Sequence, residues 1–195
     1  MLRPGAFADR HGAALAVGRR EVEADQPWSL SPAALRRAPF TERLVLPSPN
    51  GSTIAAGVTG VPVVAGCLRN ARTVAAWLRA QGWGTPALPV AIVAAGEHWP
   101  GSGGVRPALE DWLGAGAVAA ALLDLGATDP SPEARTAAAS FTATTDVAAT
   151  VADCASGREL ISGGFSEDVT VAIELDAEPT VPVLLDGAFA AQPVH

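Results

Sequence analysis

Leu88-Pro89-Val90-Ala91-Ile92-Val93-Ala94-Ala95-Gly96-Glu97 is the stretch on which the fold turns. It runs apolar and uncharged, then stops at a glycine and an acid. That is the pattern of a short strand covered on both faces. Two upstream runs share it: Leu44-Val45-Leu46, closed by Pro47, and Val61-Pro62-Val63-Val64-Ala65, closed by Gly66. Residues 181–185 read as a final strand. Between and after these runs the period becomes helical. Residues 70–81 place Val74, Trp77 and Leu78 at i, i+3 and i+4, with Asn70 as N-cap and Gly82 as the stop. Residues 107–125 open on proline, with Glu110 and Asp111 near the positive end of the helix dipole. Ser131-Pro132-Glu133 opens an Ala-rich helix, and residues 154–161 form a short one broken by Gly163-Gly164. Residues 11–17 read as a short helix and residues 33–37 as one helical turn. Residues 167–175 begin as helix and end as strand. Strands alternating with helices give an α/β layered fold with a mostly parallel or mixed sheet.

Composition limits what such a fold can do. The chain has 195 residues, the size of one compact domain, and 49% are apolar, enough for a core. All 13 cations are arginine, which excludes a Schiff-base or P-loop lysine. A net charge of -7 without a basic stripe argues against nucleic acid. No apolar run approaches the roughly 18 residues that cross a bilayer, and residues 1–18 lack a signal-peptide core. Cys67 and Cys154 match no metal spacing, and His11, His98 and His195 form no zinc pattern. A reducing cytoplasm is the expected compartment.

Ligands of open α/β sheets bind beyond the carboxyl ends of the strands. Here those ends carry Ser48-Pro49-Asn50-Gly51-Ser52-Thr53, then Gly66-Cys67-Leu68-Arg69-Asn70, then Gly96-Glu97-His98. Asn50-Gly51 suits a turn with positive φ, and Ser52-Thr53 can cap a following helix. Free N–H groups and hydroxyls there would make an anion site, although an ordinary Asn-Gly turn uses the same residues. Arg69 can fork onto a phosphate or sulfonate, or stand solvated at its helix start. Glu110 and Asp111 are oxygen ligands suited to Mg²⁺, or simple dipole-stabilising acids. Adjacent helical residues diverge by about 100°, so at most one of the two faces a given ligand. His98 offers a general acid, but a loop histidine more often faces solvent. Cys67 has no arginine at the spacing of a cysteine phosphatase loop, and position 73 is Thr. Glu167, Asp168, Glu174 and Asp176 read as surface or cap residues.

The same segments resemble the ComB family of 2-phosphosulfolactate phosphatases. Residues 48–53 are similar to its T-x-N-G-T, and Gly66-Cys67-Leu68-Arg69-Asn70-Ala71 with Val74-Ala75 to its G-S-x-x-N-A-x-A-V-A. Ala95-Gly96-Glu97 and Leu109-Glu110-Asp111-Trp112-Leu113-Gly114-Ala115-Gly116 follow in the family's order, the latter like L-E-D-x-L-x-A-G. Gly157-Arg158-Glu159-Leu160 and Gly164-Phe165 with Asp168-Val169 sit at its C-terminal positions. The similarity covers roughly residues 19–190. It implies one three-layer α/β/α domain over residues 1–195 and a Mg²⁺-dependent phosphatase of small phosphorylated acids such as 2-phosphosulfolactate. Ser48, Asn50, Gly51, Ser52, Thr53, Arg69 and Asn70 would bind the anionic substrate. Glu110 and Asp111 would hold Mg²⁺ and act in catalysis. The family's upstream D-V-x-R-A-[ST]-[ST] strand is not found in residues 1–18, so its N-terminal segment is expected to be missing. Two alternatives follow from that departure: a non-catalytic binder of a phosphate- or sulfonate-bearing metabolite, or a homo-oligomer in which a second copy covers an exposed sheet edge.

Overall fold

The computed structural model describes residues 4–48, 50–99, 101 and 103–193. Pro49 of the Asn-Gly loop, Pro100 after His98, and His195 lie outside them. The chain is mixed α/β, its helices dominating and its strands paired in small sheets. In the amino-terminal part, α1 (Pro4–His11) leads into β1 (Ala14–Leu15), which pairs in parallel with β2 (Leu44–Val45). The helix expected over residues 11–17 lies one step earlier. Gly12, at φ 56, ends α1, and the next residues extend. Between the two strands comes α2 (Pro32–Leu35), capped by Ser31, whose hydroxyl accepts from the Ala34 N–H.

The core forms where α4 (Ala71–Ala80) and α5 (Leu109–Asp124) pack together and against β5 (Val181–Leu185). Ala71, Val74, Ala75 and Leu78 form the buried stripe of α4 that the i, i+3, i+4 spacing specifies. On α5, Leu113, Ala117, Val118 and Ala121 face it. α6 (Pro132–Ala143), capped by Ser131, lies close to α5 because Gly116 has no side chain. A Cβ there would run into the Ala137 carbonyl. α7 (Val147–Asp153), α8 (Ala155–Ser162) and α9 (Ser166–Ala172) complete the helical half. β5 pairs antiparallel with β6 (Ala188–Gln192) across the Asp186-Gly187 turn, both turn residues at positive φ.

Two strand expectations are corrected. Of residues 61–65, only a bridge forms: Val64 pairs with Val183, flanked by the bonds Ala65 N–H to Pro182 O and Leu184 N–H to Val63 O. Residues 88–95 form no strand. Their only backbone bonds are turn bonds at Leu88, and residues 89–95 make none. The segment stays extended and packs Val90 on the core, while Leu88, Ile92 and Val93 are exposed. An apolar run is covered on both faces only where neighbouring strands and two helical layers flank it. Here no neighbouring strand pairs with it. The strand expected at the end of residues 167–175 is also absent: after α9 the chain turns, with Asp176 at φ 48.

Polar clasps tie the amino-terminal part to α9. Asp168 is 2% exposed, against the surface role expected for it. It accepts from Arg19 Nε at 2.8 Å, from the Ser31 hydroxyl and from the Ala33 N–H. Removing one partner of such a buried charge typically costs 3–5 kcal/mol, roughly. Nearby, Glu174 accepts from both Arg36 and Arg69. Those bonds, Arg36 first, hold its carboxyl down at about 2.

Because the folded value lies below the unfolded one, Glu174 stabilises the fold fully above its ordinary range and loses that contribution as pH falls toward about 2. Denaturation midpoints should therefore decline between pH about 4.5 and 2. The decline should be shallower for Glu174→Gln. Equal slopes in variant and parent would show that the clasp carries no pH dependence.

Candidate functional site

The residue at which the candidate groups converge is Gly96. β3 (Glu97–His98) and β4 (Val105–Arg106) pair antiparallel, with Glu97 opposite Arg106. Gly96 enters this hairpin at φ 74, a conformation that favours glycine. A Cβ there would stand 2.8 Å from the Arg106 carbonyl oxygen and 2.9 Å from Val105 Cγ1. Both of its backbone groups are taken. Its N–H donates to Asp111 Oδ2 at 2.8 Å, and its carbonyl accepts from Asn50 Nδ2 at 3.1 Å.

Asn50 stands at the start of α3 (Gly51–Gly57) with φ −93, so the positive φ expected for the Asn-Gly turn is absent, and Gly51 is an ordinary helical residue. Asn50 makes no side-chain cap. Its Nδ2 points out of the helix, to Gly96 O and to Glu97 Oε1 at 2.9 Å. Turning the amide over would set its oxygen against a carbonyl and a carboxylate, so the orientation is determined. Oδ1 is then buried with no hydrogen-bond partner. Such an atom costs about 1–3 kcal/mol unless something reaches it. Ser52 donates to the Ser48 carbonyl rather than capping from outside. Thr53 lies one turn into α3.

The acids of α5 part as adjacent helical residues must. Asp111 turns to Gly96. Burial first, and the neighbouring Glu110 charge second, push its carboxyl up, while the Gly96 N–H opposes them. Glu110 turns the other way and accepts from the Cys154 thiol at 3.3 Å. That thiol is itself the N-cap of α8, accepting from Gly157 N–H, and burial and Glu110 push it up. Glu97 Oε1 also accepts from His98 N–H at 2.7 Å, the main reason its carboxyl is held low. Beside Cys154 a shallow cleft of about 490 Å³ opens, lined by Leu109, Ala149, Thr150 and Asp153.

Arg69 and Asn70 belong to a different neighbourhood. Arg69 bonds to the Val171 carbonyl and to Glu174, with Glu178 at 3.9 Å. Asn70 is buried. Its oxygen accepts from Cys67 N–H, and its amide donates to Ala65 O and Thr180 O. It sits at the N-cap position of α4 yet latches β5 to the preceding loop instead of capping the helix. The structure thus gathers Asn50, Asp111 and Glu97 at Gly96. It leaves Glu110 on the Cys154 side and ties Arg69 and Asn70 to α9 and β5.

A larger cleft of about 540 Å³ lies between α4, α5 and α7, over Leu68, Ala71 and Phe141. Of its aspartates, Asp146 and Asp176 are spent on the Ala149 and Arg72 backbone amides, and Asp124 at the end of α5 is the third. The Pro/Gly-rich loop from Glu97 to Arg106 reads in the sequence as a working loop, but no role at the site was assigned there to Glu97 or Arg106. The signal was present: an acid and an arginine bracketing a Gly-rich loop, which sets them opposite each other once it closes as a hairpin.

Among the described residues, no three of His, Cys, Asp and Glu are gathered as a metal cage, and no helix is long and apolar enough to cross a membrane. Residues 18–187 match a family model described as 2-phosphosulpholactate phosphatase. No curated protein matches the chain.

Gly96→Ala should cost about 1–2 kcal/mol for the left-handed backbone, and more for the contact with the Arg106 carbonyl. Gly101 is also left-handed, at φ 74, but has open space around it. Urea denaturation of Gly96→Ala and Gly101→Ala measures the difference. Equal losses would mean that the crowding at Gly96 has no energetic weight.

Proposed function

The chain belongs to the 2-phosphosulpholactate phosphatase family, and on that premise we propose that it is a Mg²⁺-dependent phosphatase of a small phosphorylated acid, such as 2-phosphosulfolactate. It would work as a single three-layer α/β domain in the cytoplasm, where the unpaired Cys67 and Cys154 are at home. The observation that carries the reading is Asn50 Oδ1, buried and without a hydrogen-bond partner, on a side chain whose Nδ2 binds Glu97 and the carbonyl of Gly96, the residue that Asp111 holds from its N–H. An amide oxygen with Glu97 and Asp111 is an all-oxygen donor set. Mg²⁺ favours such donors, and it needs only one or two carboxylates because it keeps water and takes substrate oxygens. These residues therefore fit the ion, and Asn50, Glu97 and Asp111 would hold it. When bound, Mg²⁺ would offset the charge of the phosphoryl group.

The chain's own groups divide the remaining work. Gly96 fixes Asn50 and Asp111 on one side of the hairpin. Glu110, whose Oε2 is held by the Cys154 thiol, keeps Oε1 to take a proton from the attacking water. Ser48, Gly51, Ser52 and Thr53 line the approach at the start of α3, where they would meet the substrate's anionic end. Arg69 and Asn70 support the site from a distance by holding the loop before α4 against β5 and α9.

Purified chain should release inorganic phosphate from 2-phosphosulfolactate or an aryl phosphate only with a divalent metal. Asn50→Ala and Asp111→Asn should each lower the rate ~10–100-fold. A folded parent protein that releases no phosphate with any divalent ion sinks the enzyme. If anions such as phosphate still raise its melting temperature, the chain is instead a metabolite binder.

A further inference from the structure

We infer that Arg106 is the arginine that grips the phosphoryl oxyanion, an inference that rests on the phosphatase reading. A site for a phosphorylated acid is well served by an arginine whose donors are free to turn to the ligand. Arg69 is not of this kind, because Glu174, Glu178 and the Val171 carbonyl surround its guanidinium, which is 17% exposed. Arg106 is. It lies directly opposite Glu97 in the hairpin, so the two side chains leave the ladder on one face.

Its Nη2 donates to Ser156 Oγ at 3.1 Å, which reaches across to the first turn of α8. There Cys154 holds Glu110. Its guanidinium lies 5.9 Å from the Trp99 ring centroid, within cation–π range. No carboxylate among the described residues comes within ion-pair distance of it. Arg106 thus spans the two halves of the site. Asp111 and Asn50 lie behind Gly96 on one side, and Glu110 lies beside Cys154 on the other.

A guanidinium has five N–H donors, and one is spent on Ser156. The rest suit bidentate bonds to a tetrahedral oxyanion. Glu97, Glu110 and Asp111 together carry more negative charge than one arginine offsets. A bare anion would therefore be repelled, and Arg106 would bind it with a divalent cation present.

The test measures binding of inorganic phosphate, and separately of methanesulfonate, by calorimetry on the full chain with and without Mg²⁺. Arg106→Gln should weaken phosphate about tenfold or more, with Arg106→Lys intermediate, while circular dichroism stays at the parent's. Arg37→Gln, which removes only the exposed pair with Glu167, should leave phosphate affinity unchanged. A folded Arg106→Gln that binds phosphate as the parent does overturns the inference, even if the parent turns substrate over. Loss of methanesulfonate but not phosphate binding also overturns it, because the arginine would then serve the sulfonate. Weaker phosphate binding in Arg106→Gln, in a parent that hydrolyses nothing, supports the anion grip while removing the phosphatase.

Discussion

The whole site depends on one residue whose two backbone groups are both held. Gly96 gives its N–H to Asp111 and its carbonyl to Asn50, while the Arg106 backbone leaves no room for a side chain. Three parts of the chain that are distant in sequence meet there: the start of α3, the end of the apolar run, and the first turn of α5. None of the functional side chains stands on a regular central sheet. Asn50 and Asp111 are aimed by bonds to this glycine, Glu110 by the Cys154 thiol and Arg106 by Ser156. The fit is therefore local, and it needs the 97–106 loop to close so that Glu97 and Arg106 face each other.

The diverging acids of α5 follow from helix geometry alone. With about 100° between successive residues, Glu110 and Asp111 serve opposite sides of the same first turn. Asp111 meets a backbone amide and is half-buried. Glu110 meets a thiol at an open cleft. One helix end can in this way aim two adjacent carboxylates at different partners.

Several helices were readable in the sequence because a local device bounds them, whereas α1 starts earlier than the helix expected over residues 11–17 and α7 was not expected. Ser131 and Ser31 cap with their hydroxyls, Gly82 and Gly164 stop their helices at positive φ, and the stripe of α4 follows its spacing. The sheet was not readable to the same degree. Residues 88–95 look like a buried strand, but pairing is a property of neighbours, and no local signal reports whether a neighbour is there. The site residues show the same split. Asn50, Glu110 and Asp111 stand at recognisable ends of elements. What they touch depends on Gly96 and Cys154, 46 and 44 positions away, so spacing could not disclose it. Asp168 looked like a surface acid for the same reason, since its partners Arg19 and Ser31 lie far upstream.

That last pairing bears on how the molecule assembles. Arg19 and Asp168 are 149 positions apart. On the ribosome the arginine and the short helix after it emerge long before their carboxylate is translated. The amino-terminal lobe has no anchor during that interval, whereas α4, α5 and α6 meet through near neighbours and can settle first. Docking of this segment then waits for a carboxylate translated after it, and a stalled ribosome would leave the segment exposed to chaperones and proteases.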